Sequence, residues 1–120
     1  MNQQLNFAKK TNQATMVKVD EGPIDQINRI QLAPGTESRL KCHWDRKKHL
    51  FVVKGQVWVK LPKTNLLLIQ GDSIDIEVGE PHQFENQTGS KVELIEIERM
   101  HLTNEEDLEH LENYYHDLAS

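Results

Sequence analysis

The chain has 120 residues, 37% of them hydrophobic, a formal net charge of −5 and one cysteine. That length suits one domain, and the acidic balance excludes a general nucleic-acid binder, which needs a basic excess to neutralise phosphates. Cys42 alone excludes an internal disulfide, and no apolar run reaches the roughly 18 residues of a membrane span.

The start, MNQQLNFAKKTNQ, has no periodicity and no apolar signal core. Residues 1–14 are therefore expected to form a flexible N-terminal tail on a cytoplasmic protein with no membrane partner. A strand is expected from Thr15, ended by Glu21-Gly22-Pro23, and a loosely alternating stretch, Ile24 to Leu32, runs into the turn Ala33-Pro34-Gly35-Thr36. Glu37–His43 and His49–Val53 read as strands either side of a polar connection, WDRKK. Val57, Val59 and Leu61 alternate with polar neighbours, Pro62 to Asn65 turns the chain into Leu66–Gln70, and Gly71-Asp72 turns it again. Ser73–Val78 alternates Ile74, Ile76 and Val78 with Ser73, Asp75 and Glu77, the period of a half-buried strand. Lys91–Glu98 follows, with Val92, Leu94 and the pair Ile95/Ile97.

Short strands punctuated every eight to twelve residues predict an all-β sandwich or barrel, and a jelly-roll barrel protects its sheet edges at this chain length. The end changes character. Thr103 and Glu106 form a capping box, and Leu108, Leu111, Tyr115 and Leu118 fall on one face at helical spacing. A C-terminal α-helix is expected over about 104–118, packed on the barrel or across a dimer, with the acidic run 105–112 as its solvated face and Tyr114 and Tyr115 as packing residues. Residues 15–120 thus make a single domain.

Two stretches concentrate chemistry. Pro34–Gly55 sets His43 and His49 among Arg39, Lys41, Arg46, Lys47 and Lys48, and Gly71–Asn86 brings His82 behind a Gly79-Glu80-Pro81 turn. These blocks resemble the paired motifs of the cupin superfamily. Gly71, Glu77 where proline is usual, Gly79, His82 and Asn86 keep the spacing of the second motif. The first, Pro34-Gly35, Lys41-Cys42-His43, Arg46-Lys47-Lys48-His49 and Val52-Val53-Lys54-Gly55, is similar to the cupin of type II mannose-6-phosphate isomerases, also the C-terminal domain of bifunctional mannose-1-phosphate guanylyltransferases. Leu94-Ile95-Glu96-Ile97-Glu98 and Asn113-Tyr114-Tyr115 echo the same subfamily, and the resemblance covers about residues 16–117. It implies a double-stranded β-helix, a homodimer, and a divalent metal (Zn, Fe, Mn or Ni).

The departures fall at the implied metal ligands. Gln or His, then His, Glu and His become Lys41, His43, Lys48 and His82, so only His43 and His82 remain as donors. Two ammonium groups would repel a divalent cation by several kcal/mol at an effective dielectric of about 20. No resident metal is expected, and His49 could replace a lost ligand only through a register shift that turns the strand over.

Strand alternation puts Lys41 and His43 inward with Cys42 outward, Lys48 inward with Leu50 and Val52 while His49 faces out, and Phe84 inward beside His82 as a pocket wall. A lysine held inside needs a carboxylate or a bound anion; otherwise it extends to the barrel mouth. Lys41, His43, Lys48 and His82, with Arg39 or Arg46 at the rim, are the candidate ligand-binding and catalytic residues, and a small anion such as a sugar phosphate is the expected ligand. Three functions stand open: an isomerase interconverting mannose 6-phosphate and fructose 6-phosphate with lysines in place of the metal, a metal-free cupin that binds an anionic sugar without turnover, and a structural dimer module.

Overall fold

A computed structural model describes residues 14–101 together with Glu109, Glu112, Asn113, His116 and Asp117. The strands in chain order are β1 (Ala14–Glu21), β2 (Asp25–Leu32), β3 (Arg46–Lys54), β4 (Gln56–Lys60), β5 (Asn65–Ile69), β6 (Ser73–Ile76), β7 (Gln83–Glu85) and β8 (Val92–Met100). They form a five-stranded sheet, β1-β2-β8-β3-β6, and a three-stranded sheet, β5-β4-β7, with every pair antiparallel. The inward positions of both sheets meet in one core. Ile30, Leu32, Leu50, Val52, Ile76, Val92 and Leu94 from the larger sheet close on Val57, Val59, Leu68 and Phe84 from the smaller. Burial of each such side chain favours folding by about 1.5–3 kcal/mol, which makes the facing of each strand decisive. The all-β barrel expected from the periodicity is the fold observed.

Local differences from the sequence expectation have physical reasons. Glu37–His43 is not a regular strand; it touches β7 through isolated bridges, Glu37 to Glu85 and Lys41 to His82. Between them Ser38 supplies side-chain bonding where a ladder would continue: its Oγ accepts the Phe84 N–H at 2.9 Å and its carbonyl accepts from Gln83 Nε2. β3 begins at Arg46 rather than His49, because Arg46 and Lys47 pair with Met100 and Arg99 of β8. Part of the supposed polar connection is therefore sheet. β6 stops at Ile76, short of Val78, and β1 starts at Ala14, one residue inside the expected tail. Residues 1–13 lie outside the described residues. So does the helix expected over 104–118, apart from the five residues described there, which are helical and exposed.

Two glycines fix the frame of the site. Gly55 alone separates β3 from β4 at a φ of 87°, where an added Cβ would crowd Val92 Cγ2 at 3.1 Å. Gly79, at φ 77°, donates its N–H to the His43 carbonyl at 2.7 Å and lies under the Trp44 ring, which an added Cβ would meet at 2.7 Å. This close approach ties the turn before His82 to the segment that carries His43.

Candidate functional site

The site grows from strand register. On the inner face of the larger sheet, Asn28 of β2 stands opposite Glu96 of β8, and Lys48 of β3 stands opposite Glu98 of β8. Across the barrel, His82 at the entry to β7 faces the same space. Because Leu94 points into the core, the period of two sends Glu96 and Glu98 inward as well, and all four polar residues are buried with His82.

Lys48 is the hub, with its side chain 3% exposed. Its Nζ lies 3.2 Å from Glu96 Oε2, 3.7 Å from Glu98 Oε1 and 3.4 Å from His82 Nε2. At an effective dielectric of about 20, each carboxylate contact is worth roughly 5 kcal/mol of Coulomb attraction, set against the desolvation of both ions. Asn28 Nδ2 donates to Glu96 Oε1 at 3.0 Å and to Glu98 Oε2 at 2.9 Å, holding the acids side by side. Arg46 Nη1 donates to Glu98 Oε1 at 3.1 Å from the half-exposed end of the strand. Arg46 also bonds Asp45 at 3.1 Å on its outer side, so it links the buried pair of acids to the surface. Glu96 Oε2 accepts no hydrogen bond despite its 3.2 Å separation from the ammonium; alignment is poor, and it rests on the ion pair alone.

The histidines are neutral partners of this network. His82 Nδ1 lies 3.0 Å from the Glu80 carbonyl, an acceptor, so Nδ1 carries the proton and Nε2 offers its lone pair to Lys48. Burial lowers the His82 pKa below its ordinary value; the Glu80 hydrogen bond opposes this and the Lys48 charge adds to it. His43, with its ring centroid 6.2 Å from that of His82, is also lowered, first by burial and then by the charges of Lys48 and Arg46. Burial by itself would raise Glu98, but the Arg46 hydrogen bond, the Lys48 charge and the Asn28 hydrogen bond outweigh it and hold the carboxyl low.

These residues do not fit the divalent metal that the resemblance implies. His43 and His82 are the only donors at the four implied positions, and an ammonium sits against the free nitrogen of one of them. Metal–nitrogen and metal–oxygen bonds span about 2.0–2.2 Å, whereas the polar atoms around Lys48 Nζ are spaced for an ammonium. Among the described residues no group of three or more His, Cys, Asp or Glu is placed to hold a metal ion.

The sequence-predicted residues thus divide in two. His43, Lys48 and His82 come together inside, with Phe84 beside His82 at a ring-centroid distance of 5.8 Å. Lys41 and Arg39 line a separate open cleft of about 140 Å³, with Ser38, Met16, Ile30 and Phe84. Lys41 joins the His82 strand through its backbone, in paired hydrogen bonds of 3.0 and 2.9 Å. Phe84 is the wall common to both spaces. Arg46, expected at the rim, instead closes the network through Glu98, and His49 faces outward onto Asp75 at 2.7 Å. Lys48, expected among the ligand-binding residues, is paired inside with Glu96 and Glu98. Those acids and Asn28 are the participants that sequence reasoning missed. Their signal was parity, since Glu96 and Glu98 share the facing of Val92 and Leu94.

Comparison with known proteins agrees with this architecture. Residues 11–113 match the family model described as mannose-6-phosphate isomerase C-terminal. The chain is 32% identical over 95 residues to a putative mannose-1-phosphate guanylyltransferase of Vibrio cholerae, covering 79% of this chain and 20% of that protein. It is 31% identical over 97 residues to the alginate biosynthesis protein AlgA of Pseudomonas aeruginosa, covering 81% and 20%. The chain spans about a fifth of the length of these curated relatives. A solved cupin-superfamily sugar phosphate isomerase from Silicibacter pomeroyi superposes with a TM-score of 0.68 at 18% identity, over 74% of this chain and 60% of that one. The protein TT1209 of Thermus thermophilus gives 0.70 at 19%, over 78% and 89%. The fold is the cupin double-stranded β-helix.

Proposed function

The chain belongs to the mannose-6-phosphate isomerase C-terminal family of cupins, and from that premise we propose that it is a metal-free cupin of sugar-phosphate metabolism that binds a small anionic sugar without isomerising it. The observation that carries this reading is the unequal state of its cations. Lys48 is neutralised inside, whereas Arg39 and Lys41 line the open cleft and have no side-chain ion pair among the described residues. A phosphate there would gain charge-assisted hydrogen bonds, and the exposed Met16 offers apolar surface to the C–H face of a sugar ring.

The interior argues against turnover. Moving a proton between adjacent sugar carbons needs a base in reach of the substrate. The free nitrogen of His82 is the obvious lone pair, but it is buried and capped by Lys48. Titration calorimetry with mannose 6-phosphate and fructose 6-phosphate, run beside a coupled isomerase assay with and without added Mn²⁺ or Zn²⁺, tests the reading. Binding that weakens at least tenfold in an Arg39→Ala/Lys41→Ala protein, with turnover at background, is the expected result. Turnover above background, or binding indifferent to that double change, overturns it.

A further inference from the structure

We propose that the barrel interior is a monovalent-cation hole whose permanent occupant is the Lys48 ammonium, standing in the centre where the family resemblance implies a divalent metal. Three polar atoms from two segments, β8 and the entry to β7, converge on Nζ: Glu96 Oε2 at 3.2 Å, His82 Nε2 at 3.4 Å and Glu98 Oε1 at 3.7 Å. An ammonium is a donor-only cation: it meets the free nitrogen of His82, while two carboxylates at ion-pair distance balance its charge. Their spacing is that of an ion-paired ammonium and is about 1 Å or more too wide for a zinc-like ion, whose bonds are about 2.0–2.2 Å.

The acceptors are held by the rest of the fold rather than by the lysine. Asn28 clamps one oxygen of each carboxylate from β2, Arg46 holds Glu98 from its outer side, and the Glu80 carbonyl fixes the His82 ring. Removing the lysine side chain beyond Cβ would therefore leave a formed anionic hole of propylammonium size. Glu96 Oε2, which is buried and accepts no hydrogen bond, would be left open toward it. A groove of about 170 Å³ lined by Ile24, Asp45, Arg46 and Glu98 reaches the outer side of the network and offers a small amine an approach.

The test is chemical rescue of Lys48→Ala, read as thermal melting and as refolding yield, with propylammonium chloride, Zn²⁺ or Mn²⁺ added and tetramethylammonium chloride as the salt control. Propylammonium should raise the melting temperature, or restore the folded yield if the variant does not fold alone, in a saturable manner. Zn²⁺, Mn²⁺ and tetramethylammonium should not. The neutralised variant Lys48→Ala/Glu96→Gln/Glu98→Gln should show no response to propylammonium. Wild-type protein, desalted after incubation with Zn²⁺ or Mn²⁺, should retain substoichiometric metal by elemental analysis. Rescue by the divalent ions equal to or better than by the amine, absence of any amine rescue, amine rescue of the neutralised variant, or stoichiometric metal on the wild type would each overturn the proposal.

Discussion

The two lysines at implied ligand positions, Lys41 and Lys48, have opposite fates. Lys48 sits on the inner face of β3, opposite an acid of β8, and is enclosed with two carboxylates. Lys41 sits on an irregular segment held by two isolated bridges, Glu37 to Glu85 and Lys41 to His82, and opens to a cleft beside Arg39. Side-chain type does not distinguish them; what does is whether the facing strand supplies carboxylates of the right parity. An ammonium with partners becomes part of the core, and one without them remains available to a ligand. Changing the first should therefore be read in stability, and changing the second in binding.

The largest effect is expected from Lys48→Met, which keeps the volume and removes the charge. It leaves Glu96 and Glu98 buried side by side without their shared cation and should cost about 3–5 kcal/mol in urea unfolding at neutral pH. Next is Asn28→Ala, which removes one hydrogen bond from each carboxylate and leaves acceptors unsatisfied in a buried place. A loss of about 2–3 kcal/mol by the same measurement is expected. A loss below about 1 kcal/mol in Lys48→Met would show that water enters and solvates the acids, erasing the distinction between the two lysines.

Acid should reach the interior first, and the sign follows from three groups. His82 and His43 are lowered from 6.5, so between that value and their folded values the unfolded chain binds more protons. Glu98 is lowered from 4.5, with the same consequence at lower pH. Stability should be fully present above about pH 6.5 and fall as pH drops, first through the folded histidine values and then through that of Glu98. Melting temperatures across a pH series check this, and His82→Asn should flatten the upper part of the fall while leaving the lower part. A Lys41→Ala protein should change the profile only slightly, because Lys41 is the weakest of the charges that lower His43.

The strands and their facing were legible because a period of two, once anchored by one core residue, propagates along a strand. Lys48, Leu50 and Val52 inward with His49 outward followed from that rule, as did His82 with Phe84. The same rule, applied to β8 from Leu94, would have placed Glu96 and Glu98 inside. It was obscured because Ile95 and Ile97 make the outer face of this strand apolar too, and hydrophobicity then points both ways. The partner of a buried charge lies on another strand, as Glu98 does 50 residues from Lys48, so register must be known before pairing can be read. The segment Glu37–His43 misled for a local reason. Ser38 replaces ladder bonds with its own side chain and carbonyl, and that substitution is invisible to periodicity.

The smallest stability change, and the sharpest contrast, should come from Arg39→Ala and Lys41→Ala. Neither side chain has an ion pair among the described residues, so each substitution should shift unfolding by no more than about 0.5 kcal/mol. Their effect should appear in ligand affinity and in its dependence on salt. Exposed cations attract an anion through solvent, where the screening length falls from about 10 Å at 0.1 M to about 3 Å at 1 M ionic strength. Raising NaCl should therefore weaken binding of mannose 6-phosphate by the wild type. The slope against salt should be shallower in either single variant and nearly absent in the double variant. The Lys48 network, shielded from ions by burial, should lose little stability over the same range. If salt lowers the melting temperature as strongly as it lowers affinity, the interior charges are exposed to solvent and the two lysines differ only in degree. If it lowers only affinity, the cleft is where this barrel meets charge from outside, and its interior charge is already balanced by the chain itself.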